Sequence, residues 1–231
     1  MKKFRKPLFP ALLALLLLFV SCKQYDTEDT EVKNIEFNFD ALRNQISEIN
    51  FMLTDKSSIH KYDDFKNQLL SVNARGNNTI TEQDISDAKN SLIDLGWQEG
   101  TSLDTDILIG NVADKMEQEL MISHVTNLFI KNNLKDTSLN DYQQFNADIQ
   151  SFIDSNNLTD FEKNLLLNLG NQNTALRNIN NVACDYFGTA AGFLTGVLVA
   201  STGFGSIVSG LAGSFSGLAA TSVCNAISAQ L

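Results

Sequence analysis

The side chains able to do chemistry are few, and their spacing excludes most of what they could do. His60 and His124 lie far apart, with no cysteine or carboxylate at metal-ligand spacing beside them, so a metal site is not expected. Asp104 and Asp106 in TSLDTDIL lack the rest of a calcium loop and have the placement of helix-start caps. Gly203 and Gly205 in STGFGS follow no strand and precede no lysine, which excludes a phosphate-cradling loop. A G-x-S-x-G elbow is absent, and the plentiful carboxylates fall on polar helix faces, where solvation is their ordinary role. The expectation is a non-enzyme with no catalytic residue, metal or cofactor. What remains is thiol chemistry at Cys22, Cys184 and Cys224.

Those cysteines belong to different parts of the chain. Met1 to Lys6 is basic, and Pro7 to Val20 is an apolar run too short for a comfortable membrane span, the layout of a removable signal. The next residues, Leu18-Phe19-Val20-Ser21-Cys22, resemble the lipobox of bacterial lipoproteins, with Ser21 where Gly or Ala is usual. The resemblance implies cleavage after residue 21 and lipidation of Cys22, with diacylglyceryl and palmitate-type chains. It also implies anchoring of the chain to a bilayer in the bacterial cell envelope. Residues 22–31 read as a flexible acidic tether. This tether resembles the surface-export signals of Bacteroidota lipoproteins, which implies the outer membrane or cell surface. A bacterial envelope makes the sequons at Asn77-Asn78-Thr79 and Asn157-Leu158-Thr159 chance matches. Loss of the signal removes 4 of the 17 basic residues, leaving 13 against 27 acidic ones, a balance of −14. Such a charge disfavours nucleic acid as a partner and gives no attraction to anionic headgroups. No protein partner is legible. Both prolines leave with the signal, which favours long helices.

From about 32 to 170 the apolar pattern is helical, and the fold class is all-α. Phe39, Leu42, Ile46, Ile49 and Leu53 mark a first helix, and Tyr62, Phe65, Leu69 and Val72 a second. A third opens on Thr81 and Asp84, at capping-box spacing, and ends at Gly96. The script then recurs. Ser138, Tyr142, Phe145, Ile149, Ser151 and Phe152 stand 80 residues after Ser58, Tyr62, Phe65, Leu69, Ser71 and Val72. Lys163 to Gly170 aligns with Lys89 to Gly96, and Thr159 with Glu162 repeats the cap. The expected organisation is two related three-helix units, 32–97 and 105–170, joined by the Trp97 to Asp104 loop. In the second unit, Met116 to Ile130 stands as the counterpart of the first helix. Repeated helical units usually build surfaces rather than active sites.

The tail, 171–231, is of another kind. From Tyr186 to Leu231 it has no Asp, Glu, Lys, Arg or His, and it holds 8 of the 13 glycines. Phe204 lies midway between Cys184 and Cys224, flanked by Gly203 and Gly205 in the one obvious turn. Two helical arms folded about that turn bring the cysteines opposite each other, and in an oxidising compartment they pair. Gly188, Gly192 and Gly196 form one small-residue row, and Gly210, Gly213 and Gly217 another, so close packing and disulfide share a face. The outer faces are apolar nearly all round, where a surface helix shows one stripe. Each arm has about the length of a bilayer span. The tail resembles the glycine-rich, disulfide-closed hairpins of hydrophobic bacteriocins, which implies contact with membranes. Two readings follow. Either the hairpin is membrane-active and shielded by the acidic helices, or it is the buried core of a surface-anchored binding or scaffold lipoprotein.

Overall fold

Helix α1 (Phe39–Met52) starts where the Asn38 side chain accepts from the Ala41 amide at 2.9 Å, and it buries Phe39, Leu42 and Ile49. The structure, a computed structural model, describes residues 31–73, 80–134, 142–171 and 182–228. The expected signal, Cys22, most of the tether, the Asn77-Asn78 connection and Ser138 lie outside them. Among the described residues the fold is all-helical. After α1 comes a short 3-10 turn at Lys56–Ser58, then α2 (Tyr62–Asn73) and α3 (Glu82–Asp94). Thr81 and Asp84 form the reciprocal capping box that opens α3. Gly96, at φ +92°, closes it: the amides of Gly96 and Trp97 reach back to the carbonyls of Ile93 and Leu92.

The interval from 105 to 171 departs from the expected three helices. It contains four: α4 (Thr105–Gln118), α5 (His124–Leu134), α6 (Tyr142–Ser155) and α7 (Asp160–Asn171). The Asp104 carboxylate caps α4, accepting from the amides of Asp106 and Ile107. The stretch Met116 to Ile130, expected as one helix, breaks at Leu120. That residue takes φ +58° with no glycine or proline to announce it. The break is held by the Met121 amide on the Met116 carbonyl and by the Lys33 amide on the Leu120 carbonyl, both within 2.9 Å. It sends Met121 and Ile122 into the core, which offsets the strained backbone. Gly170, aligned with Gly96 by sequence, is helical instead of a cap. A Cβ there would meet the Asn146 side chain, so closeness to α6 is what asks for glycine.

The last two helices are α8 (Val182–Ser201) and α9 (Ser206–Ser228). They pack on each other along their length. Helix α1 lies across both, α3 packs on α9, and α4 packs on α8. The aromatic stripes of the acidic half close on this hairpin. Tyr62, Phe65 and Trp97 surround Phe215 at ring-centroid distances of 5.2, 5.4 and 5.8 Å. Phe145 meets Tyr186 at 5.8 Å, and Phe39 meets Phe193 at 6.0 Å. Much of the hairpin's outer surface is therefore covered by protein. Helix α9 is the one described helix long and apolar enough to cross a bilayer, over Ser206–Asn225, and 61% of that window is buried.

Burial explains the hydroxyls of the tail. Thr195, Ser209 and Ser216 are buried and donate to the carbonyls four residues earlier, those of Ala191, Gly205 and Ala212. Each is satisfied by backbone one turn earlier, so it enters an apolar core without an orphaned polar atom. Ser214 and Ser222 instead tie α9 to the Ile46 and Ile59 carbonyls, at 3.3 and 3.4 Å.

Candidate functional site

The tail's arms meet on a backbone seam. A Cβ on Gly192 would stand 2.4 Å from the Gly213 carbonyl oxygen and 3.0 Å from Cα of Gly217. A Cβ on Gly188 would stand 2.5 Å from the Gly217 carbonyl oxygen and 1.8 Å from the Thr221 hydroxyl. Only residues without side chains allow that approach, which is the use of glycine that repays its cost inside a helix. Gly213 and Gly217 complete the seam from the other arm, against the carbonyls of Gly192 and Gly188.

Two glycines of the expected rows also meet α1. At Gly210 an added Cβ would meet Gln45 at 2.6 Å and Ile49 at 2.8 Å. Gly196 stands between Leu42 of α1 and the Ser209 carbonyl, 3.2 and 3.3 Å from an added Cβ. Helix α1 packs on both arms at these positions. The small residues there seat a third helix.

At the open end, Cys184 and Cys224 are disulfide-bonded, with Cα atoms 5.2 Å apart. At the closed end, residues 202–205 connect the arms, with Gly203 at φ +91°. The whole turn is exposed, and Phe204 is 41% exposed.

Elsewhere the polar groups hold structure together. Among the described residues no three His, Cys, Asp or Glu side chains gather as a metal site would require. His60 is exposed, and His124, the first residue of α5, places Nδ1 2.9 Å from the Glu117 carboxylate at the surface. Burial pushes the Tyr62 and Tyr186 hydroxyls up from their ordinary range, and each donates to a carbonyl, those of Ile85 and Leu169.

The most constrained ionisable group is Glu162, which sequence spacing identified only as a helix cap. It is 1% exposed, and its carboxylate accepts five hydrogen bonds. Three come from Ser123 and Thr126 at the start of α5, and two from Thr159 at the start of α7. One carboxylate thus ties two helix N-termini. Burial alone would raise its pKa, but the hydrogen bonds to the charged form outweigh this and hold it below the usual range. Replacing Glu162 with Ala is expected to lower the unfolding free energy by about 2–3 kcal/mol, since buried donors lose their acceptor. Because the folded-state pKa is depressed, this stabilisation is present above the unfolded value and lost as pH falls through the folded one. Urea midpoints of wild type and Glu162→Ala should therefore converge in acid and differ at neutral pH.

No family model, curated protein or solved structure matches the chain, so its reading rests on its own residues.

Proposed function

We propose that the chain is a non-enzymatic lipoprotein of the bacterial cell envelope, held to a bilayer at Cys22. In this reading the glycine-seamed hairpin is the core of a folded acidic domain that serves as a binding or scaffold module. The observation that carries this choice is the closure of Tyr62, Phe65 and Trp97 on Phe215, with Phe39 on Phe193 and Phe145 on Tyr186. With aromatic rings packed on its faces, most of the hairpin is withdrawn from contact with a bilayer while the fold stands. The anchor and location rest on the basic-apolar N-terminus and Leu18 to Cys22.

A second reading keeps the membrane as the hairpin's target, with the acidic helices as its cover until release. It is favoured by the uncharged run of Tyr186–Leu231 and by the span length of α9. Dye-loaded vesicles separate the two. The lipidated, oxidised protein should bind vesicles without leakage, and Cys22→Ala should not bind. Leakage by the intact protein, or vesicle binding by Cys22→Ala, would support the second reading and overturn the first.

A further inference from the structure

Helix α1 covers only part of the hairpin seam. Its Leu42, Ile46 and Ile49 lie over Gly196, Gly213 and Gly210, and then the chain leaves the hairpin and returns as the 3-10 turn at Lys56. Between these two passes lie two clefts of about 380 and 360 Å³, which share Ile46, Asn50, Lys56 and Thr189. The inner cleft has the backbone of Gly188, Gly192, Gly213 and Gly217 along it, with Ile46 and Leu218 beside the glycines. The outer cleft has Phe193 and Phe51, and Phe51 is 89% exposed, an aromatic ring left in water at the cleft mouth.

Charge is distributed against the trend of the molecule. The chain carries 27 acidic residues and 17 basic ones, yet these clefts are lined by two cations, Arg43 and Lys56, and by one carboxylate, Asp185. Arg43 lines the outer cleft, Lys56 stands where the two clefts meet, and Asp185 lines only the inner one. Among the described residues no carboxylate lies within ion-pair distance of Lys56. Arg43 donates to Asn168, reaches Asp40 only at 3.9 Å, and leaves its Nε buried with no acceptor. Two cations at one end and, at the other, a channel floored by glycine backbone with Ile46 and Leu218 and rimmed by Asn50, Thr189, Thr221 and Asn225 define what fits. Each cleft falls within the range of ligand pockets, about 300 to 1,000 Å³, and the head and chain of a single-chain amphiphile would divide between the two.

We propose that this cleft binds a single-chain anionic amphiphile, its hydrocarbon chain along the glycine seam and its acidic head between Arg43 and Lys56. The site is separate from the Cys22 anchor and independent of which reading of the hairpin holds. The head is an oxyanion, supplied by a free fatty acid or by a single-chain phosphate ester.

Calorimetric titration of the oxidised full-length chain carrying Cys22→Ser tests this, with laurate, dodecyl phosphate and dodecyltrimethylammonium each below its micellar concentration. Laurate or dodecyl phosphate should bind once per chain, the better one identifying the head, and the cationic amphiphile should not compete. Lys56→Glu, on an exposed turn, should weaken binding about tenfold by losing a charge-assisted contact. Thr189→Trp, which fills the cleft both pockets share, should abolish it. Thermal melts establish that each variant is folded, and Lys56→Glu decides alone if Thr189→Trp is not. Absence of binding by either anion, equal binding of the cation, or anion binding unchanged in Lys56→Glu would overturn the proposal.

Discussion

Leucine at position 192 should unfold the protein under ordinary conditions, and alanine there should lower the unfolding free energy by about 2–3 kcal/mol. Taken alone, Gly→Ala inside a helix stabilises by roughly 1 kcal/mol. Here the new Cβ would sit 2.4 Å from a backbone oxygen, and backbone cannot swing aside as a side-chain tip can. The arms must separate, and separation undoes the burial of Phe193, Leu194 and Leu211 around them. Overpacking of a tight core typically costs about 1–3 kcal/mol and more for larger groups, so the penalty exceeds the helix-propensity gain. Gly205 is the internal control. It has open space around it and precedes the first residue of α9, so Gly205→Ser should be neutral or slightly stabilising. Urea midpoints of Gly192→Ala and Gly205→Ser measure the difference, and Gly192→Leu should show no cooperative transition. A Gly192→Ala protein as stable as wild type would mean that the arms do not touch at the seam.

Removing the disulfide should have a comparable effect through a different state. The bridge closes a loop with a sequence separation of 40, worth about 4 kcal/mol on the chain-entropy estimate. Most of that acts by restricting the unfolded chain. The double variant Cys184→Ser, Cys224→Ser should therefore lose stability and also show a steeper urea dependence, because its unfolded state expands further. The intact protein should gain about 2 Da on reduction, as one disulfide becomes two thiols. An unchanged midpoint with two free thiols in the wild type would remove the staple from the account.

The features legible in the sequence were the local ones. Thr81 with Asp84, Gly96 and Asp104 were readable because a helix end is decided by residues within one turn of it. The hairpin turn around Gly203 was readable for the same reason. The break at Leu120 carried no such mark; it is imposed by the burial of Met121 and Ile122, a tertiary effect. The seating of α1 against Gly210 and Gly196 was not legible, because spacing gives a residue's angle on a helix but not which third element reaches it. Glu162 was visible as a cap, while its bonds to Ser123 and Thr126 span more than 35 residues and left no pattern to read.

The largest ambiguity was the tail itself. A helix apolar on all sides has one sequence signature whether its neighbour is lipid or protein. What favours protein here is the convergence of rings from α2, from the α3–α4 loop and from α9, which no local pattern encodes.

The central claim is that the hairpin is the covered core of the folded protein, with or without a membrane nearby. Amide hydrogen exchange of the oxidised, lipidated protein, free in solution and bound to vesicles, tests it most directly. The account predicts that residues 186–200 and 208–220 exchange most slowly of all, at rates that vesicles leave unchanged. Rapid exchange of those segments in solution, with protection gained only on vesicles, would contradict it.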